Sequence, residues 1–252
     1  MSSSSTSPRI VLVTGSNTGI GLELVKLLAA RGDIVYLSSR NVEAGLAAQK
    51  QIKEESGFEV KYVHLDVTVE DSVLAAKATI EKNEGKLDVL VNNAAIAESV
   101  GKPSELPASA YTQSMEVNFY GVIRVATTFL PLIRKSSNRG IIVNVTSELG
   151  SHASQVQPNR YPAIFGVYYA SKVAMNAFTI SLAKELKDEG IRVNAVTPGL
   201  AVTKLSRNSG SRTPKEAAEV LYEWVSLDDQ DDRTGLFVGY KNAEGTAGEL
   251  EW

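Results

Sequence analysis

The sequence predicts an α/β domain built on a seven-stranded, doubly wound parallel sheet flanked by helices, and three observations carry that prediction. Short runs rich in β-branched residues recur seven times along the 252 residues. Most are continuously apolar instead of alternating, as strands covered on both faces should be. Between them lie longer segments with apolar positions at helical spacing, several stopped by glycine.

The elements follow in order. RIVLVTG (9–15) and IVYLSS (34–39) enclose the helical segment GLELVKLLAARG (21–32). VEAGLAAQKQIKEE (42–55) leads to the strand run EVKYVHLD (59–66), and EDSVLAAKATIEKNEG (70–85) leads to LDVLVNN (87–93). GIIVNVTS (140–147), IRVNAVTPG (191–199) and GLFVG (235–239) complete the seven. Strand–helix repetition of this kind places ligands at the carboxyl ends of the strands. No Pro/Gly/Ser linker or internal repeat interrupts it, so residues 9–252 read as one domain and 1–8 as a disordered tail.

Two segments break the pattern: 149–165, rich in His, Gln, Pro and aromatics, and 200–212, rich in Ser, Arg and Gly. Each follows a strand and therefore belongs over the carboxyl edge, where loops carry binding. The acidic run DDQDD (228–232) reads as a solvated loop, because ligand spacing for a metal is missing. His64 and His152 have no ligand-spaced partner and read as structural or exposed residues, so no metal is expected.

Composition narrows the function. A net charge of -3 offers no basic surface for nucleic acid or anionic lipid. The absence of cysteine excludes disulfides, thiol catalysis and cysteine-ligated zinc. The first residues lack the apolar stretch of a secretory leader, and a cytoplasmic protein is expected.

The first strand runs into TGSNTGIG (14–21), which opens a helix. Gly15, Gly19 and Gly21 let the backbone turn tightly and approach a pyrophosphate, held by free amides and the positive end of the helix dipole. An NAD site of this design places an acid at the end of the second strand; here stand Ser38, Ser39 and Arg40, and a guanidinium suits the 2'-phosphate of NADP(H). Asp33 precedes that strand and lies at the opposite edge.

Taken with NNAA (92–95), VTS (145–147) and YYASK (168–172), the glycine turn makes residues 10–238 resemble the short-chain dehydrogenase/reductase family, most closely its NADPH-dependent carbonyl reductases. The resemblance implies a Rossmann-type fold and reduction of a ketone or aldehyde. It assigns catalysis to Asn118, Ser147, Tyr168 and Lys172: Tyr168 as proton donor, Ser147 on the carbonyl oxygen, and Asn118 holding a water that links Lys172 to solvent. It assigns the cofactor to Gly15, Asn17, Gly19, Ile20, Gly21 and Arg40, with Asp66 and Val67 towards adenine and Asn92 bracing the cofactor. Tyr168 and Lys172 would also bind the cofactor, Lys172 at the nicotinamide ribose, while Pro198 and Gly199, in TPGLAVTK, would turn beneath the nicotinamide and Thr203 would reach its carboxamide or the pyrophosphate. Ala95 and Ala201 depart from the family pattern, which usually has glycine and a β-branched residue there.

The chemistry these residues would perform has a physical requirement. Moving a tyrosine from its usual pKa of about 10 to about 7 takes roughly 4 kcal/mol. A lysine ammonium about 4 Å away, at an effective dielectric near 20, supplies about that much. On a helix both Tyr168 and Tyr169 can reach Lys172, at i,i+4 and i,i+3; only the family pattern selects Tyr168 and leaves Tyr169 as a packing residue. Leu149, Tyr161, Ile164 and Phe165 suggest an apolar wall and a hydrophobic substrate. An NAD-linked alcohol dehydrogenase and a non-catalytic NADP-binding regulator are the alternatives.

Overall fold

In a computed structural model of the chain, residues 8–137, 139–157, 162–240 and 247–252 are described. Residues 1–7 of the expected tail, and Tyr161 of the expected apolar wall, lie outside the described residues. The first strand, β1 (Ile10–Val13), is buried at every position. Val11 and Val13 pack with Leu24, Leu28 and Leu221 on one face, while Ile10 and Leu12 join Leu90, Val125 and Phe129 on the other. Two cores, one per face, explain why the run is apolar throughout.

β2 (Ile34–Ser39), β3 (Lys61–His64), β4 (Val89–Asn92), β5 (Ile141–Val145), β6 (Arg192–Thr197) and β7 (Phe237–Tyr240) extend β1 in parallel. The strand order β3-β2-β1-β4-β5-β6-β7 reverses direction between β1 and β4, opening a crevice at their carboxyl ends. β8 (Ala247–Glu249) then pairs antiparallel with β7, so among the described residues an eighth strand adds to the seven expected parallel ones. A three-residue strand carries no readable period; its place comes from pairing with β7 and from Trp252, whose ring lies 5.4 Å from that of Phe237.

α1 (Gly19–Arg31), α2 (Val42–Ser56) and α8 (Pro214–Val225) cover one face. α3 (Glu70–Glu84), α5 (Gly121–Ile133) and α7 (Gly166–Leu186) cover the other. α4 (Ala108–Met115) runs through one π-helical turn (Glu116–Tyr120) into α5, and α6 (His152–Gln155) is a single turn in the segment after β5. The acidic run is more than a solvated loop: Arg192 donates to the carbonyls of Asp228 and Asp231, and Arg139 to that of Asp229. No helix among the described residues is long and apolar enough to cross a membrane.

Candidate active site

The turn between β1 and α1 is locked from the side by the end of β4. Asn93 Nδ2 donates to the carbonyls of Thr14 and Gly15 at 2.9 and 3.0 Å, and Thr14 Oγ1 accepts from the amides of Asn93 and Ala94. Gly15 and Gly19 adopt φ of +58° and +62°, the left-handed region that glycine enters without strain. At Gly21 the need is space: a Cβ there would lie 2.5 Å from Asn93 Nδ2. A Cβ on Gly19 would instead come within 3.5 Å of the Thr203 methyl, which places Thr203 across the mouth of the turn.

These residues fit the diphosphate of a dinucleotide. The N-cap Thr18 makes no side-chain cap hydrogen bond and the first turn of α1 holds no acid, so its amides keep their donors. Asn17 is half-buried within the turn, and Ile20 packs against the core with part of its surface open. On the far side of the crevice Pro198 is buried and Gly199 turns at φ +72°. A side chain at Gly199 would meet the Arg212 guanidinium at 3.0 Å and the Tyr240 ring at 3.1 Å.

Arg40 is exposed just past β2. Its carbonyl lies 3.1 Å from His64 Nε2, which draws the ends of β2 and β3 together. Asp66 follows β3; although burial opposes it, hydrogen bonds from the Thr68 hydroxyl and amide, with the fields of Arg40 and His64, hold its carboxyl below the usual range. Val67 spends its carbonyl on Arg124 and is buried against Gly121.

Asn92 departs from its expected role. Its amide donates to Asn144 Oδ1 at 2.8 Å, and Asn144 donates in turn to Thr179 Oγ1 at 2.8 Å, a buried chain joining β4, β5 and α7. Asn92 therefore braces the sheet, while Asn93 and Thr14 brace the glycine turn. The second asparagine of the NN doublet was the available signal, since successive residues at a strand end face opposite ways.

Asn118 lies in the π-helical turn, fully buried. Its Oδ1 accepts from the Ile96 amide at 2.8 Å, while Nδ2 donates to the Ile96 carbonyl at 2.9 Å and Ser171 Oγ at 3.0 Å. That side chain is committed to the protein: it fastens the segment after β4 to α7, one residue before Lys172.

Lys172 is buried, donates from Nζ to the Val145 carbonyl at 2.8 Å and lies 5.6 Å from the centre of the Tyr168 ring. Val145 stands two residues before Ser147, so the amine ties the strand end to the helix. Ser147 caps the turn that follows, its Oγ accepting from the Leu149 amide at 3.2 Å. Burial lowers Lys172 to about 7 and raises Tyr168 well above the usual phenol value. Tyr168 itself is half-buried. Desolvation of the phenolate thus moves Tyr168 in the sense opposite to the lowering expected from the ammonium.

Tyr169 points elsewhere and is more than a packing residue. Its hydroxyl lies 2.5 Å from His152 Nδ1, with the two rings inclined by 26°. The 149–165 segment that carries His152 also exposes Val156 and Ile164, and the 200–212 segment exposes Leu200, Val202 and Leu205. β5 and β6 are paired neighbours, so both loops leave the same edge of the sheet side by side.

A family model described as short chain dehydrogenase matches residues 9–214. A short-chain dehydrogenase/reductase of Aspergillus fumigatus is 31% identical over 263 residues, covering 99% of each chain. The structure of salutaridine reductase from Papaver somniferum superposes with a TM-score of 0.80 at 26% identity, covering 93% of this chain and 100% of that one. A short-chain dehydrogenase from Shigella flexneri, solved in complex with NADP, gives 0.81 at 28% identity, covering 94% and 97%.

Proposed function

The chain belongs to the short-chain dehydrogenase/reductase family, and from that premise we propose that it is a cytoplasmic NADPH-dependent carbonyl reductase acting on a hydrophobic ketone or aldehyde. The observation that carries the reading is the position of Lys172, bonded to the strand end that leads to Ser147 and set against the ring of Tyr168.

The glycine turn (Gly15, Asn17, Gly19, Ile20, Gly21) would hold the diphosphate. Asp66 and Val67 would face adenine, Arg40 the 2'-phosphate, and Pro198, Gly199, Thr203 and Lys172 the nicotinamide half. A bound reduced nicotinamide supplies the hydride that no side chain can provide. Ser147 Oγ donates to the substrate carbonyl oxygen and polarises it. Tyr168 releases its phenolic proton to that same oxygen, which leaves as the hydroxyl of the alcohol. Lys172, close to the Tyr168 ring, limits the cost of the phenolate left behind and returns it to the neutral form by proton transfer.

The Tyr168 phenol carries its proton at neutral pH, the state from which it can donate to the carbonyl oxygen. Arg40, with no acid at the end of β2, supports NADPH over NADH. The exposed apolar residues of two neighbouring loops support a hydrophobic substrate. A panel of ketones and aldehydes, followed by loss of NADPH and of NADH absorbance, tests each part. NADH serving as well as NADPH would remove the nucleotide assignment, preference for small charged carbonyls would remove the substrate class, and no turnover alongside tight NADPH binding would favour a regulator.

A further inference from the structure

α6 is one helical turn, too short to hold itself by its own hydrogen bonds. Its position is set from outside. Ser151 Oγ donates to the Glu251 carbonyl at 2.7 Å and the Ala153 amide to the Trp252 carbonyl at 3.1 Å, fastening its start beside β8. Gln155 Nε2 reaches back to the Leu149 carbonyl at 3.3 Å. Towards α7 the tie is the Tyr169 hydroxyl on His152 Nδ1, the ring centroids 6.2 Å apart. The phenol is the donor of this pair when Nδ1 carries no proton.

The two ends of this tie are in telling places. Tyr169 is the neighbour of Tyr168, and His152 follows by five residues Ser147, whose Oγ is engaged in the same turn with the Leu149 amide. A displacement of α6 relative to α7 would therefore change the separation of the two groups that must converge on one carbonyl oxygen. The glycine turn, by contrast, is braced by Thr14 and Asn93 and receives nothing from α6.

From this geometry we infer that His152 and Tyr169 are positioning residues: a clasp between the 149–165 segment and α7 that sets the carbonyl-binding gap between Ser147 and Tyr168. The inference rests on the reductase reading and concerns the substrate side of that same site. The clasp acts on the binding and reaction of the carbonyl and leaves nucleotide binding alone.

The test is a double-mutant cycle with ring-preserving changes, Tyr169→Phe and His152→Phe, read with the best carbonyl substrate of the wild-type enzyme. Loss of one hydrogen bond of ordinary strength raises KM about fivefold to tenfold in each single variant. kcat falls as well, because the same gap aligns the proton donor with the reacting oxygen, while the NADPH Kd stays at the wild-type value. The double variant is no worse than either single one, because both remove the same contact. His152→Gln, whose side-chain oxygen can accept from Tyr169, recovers most of the wild-type KM. Unchanged KM in Tyr169→Phe, additive losses in the double variant, or a parallel loss of NADPH affinity would overturn the clasp.

Failure of the reductase reading is a separate result, namely no turnover by the wild type on any carbonyl. Amide exchange of residues 148–157 in the NADPH-bound protein then decides the clasp by itself. Faster exchange in Tyr169→Phe than in wild type supports it, and equal exchange overturns it.

Discussion

Lys172 donates to the Val145 carbonyl oxygen at 2.8 Å, so one buried amine joins the strand that leads to Ser147 to the helix that carries Tyr168. The amine is 5.6 Å from the centre of the Tyr168 ring, and both groups feel the cost of burial in opposite senses: the phenol keeps its proton and the amine tends to lose one.

On the proposed mechanism, Tyr168→Phe removes the proton donor and little else. Turnover should fall by about 10²- to 10⁴-fold, the usual contribution of a positioned acid, while the NADPH Kd measured by fluorescence titration is retained. Retained turnover in Tyr168→Phe, with loss in Tyr169→Phe, would show the motif to be one residue out of register.

Lys172 also predicts a pH dependence of stability. Burial lowers it from 10.5 to about 7, so across that window the unfolded chain binds a proton that the folded chain does not. Stability of the nucleotide-free protein should rise with pH from about 7 upwards, by at most about 1.4 kcal/mol per pH unit from this group. Lys172→Met should be stabilised at neutral pH relative to wild type, with a gap that narrows as pH rises. Urea midpoints below about pH 10, where an ordinary tyrosine stays neutral, measure both curves; parallel curves would refute the assignment.

Arg40 stands exposed beside Asp66, where a 2'-phosphate would add charge-assisted hydrogen bonds worth about 1.5–3 kcal/mol. Arg40→Ala should raise the Kd for NADPH by about 10- to 100-fold and leave that for NADH in place. Equal weakening of both nucleotides would mean that Arg40 shapes the site without reading the phosphate.

The glycines separate by mechanism. Gly21→Ala would set a methyl 2.5 Å from Asn93 Nδ2 and 2.9 Å from Ser16 Cα, overpacking that should cost about 1–3 kcal/mol and push Asn93 off the turn. Gly19→Ala meets only the Thr203 methyl, at 3.5 Å, and its cost is the left-handed backbone at φ +62°, about 1–2 kcal/mol. Both should lower the urea midpoint. Gly21→Ala should lose NADPH affinity through the turn itself, and titration of a variant still folded separates the two effects.

Much of this protein is legible in the sequence because its signals are local. The run IVLV is apolar at every position because β1 is buried on both faces, and β2 occupies the very residues 34–39 that the run IVYLSS predicts. The glycines of the first turn and the Tyr168–Lys172 spacing are likewise properties of short segments, since one turn of helix suffices to stack i on i+4.

What the tertiary structure alone decided are the long-range matches. Whether Asn92 or Asn93 serves the glycine turn depends on Asn144, 52 residues away, and the work of the Asn118 side chain depends on Ile96 and Ser171. β8 exists through its pairing with β7, and Tyr169 gains a partner only because α6 lies against α7. The pKa of Lys172 follows from burial, which belongs to the packed whole. Periodicity and turn chemistry are written within a few residues, but hydrogen-bond partners and dielectric environment are set by elements distant in the chain, so the sequence by itself determined the sheet and its catalytic motif and packing decided what each side chain does there.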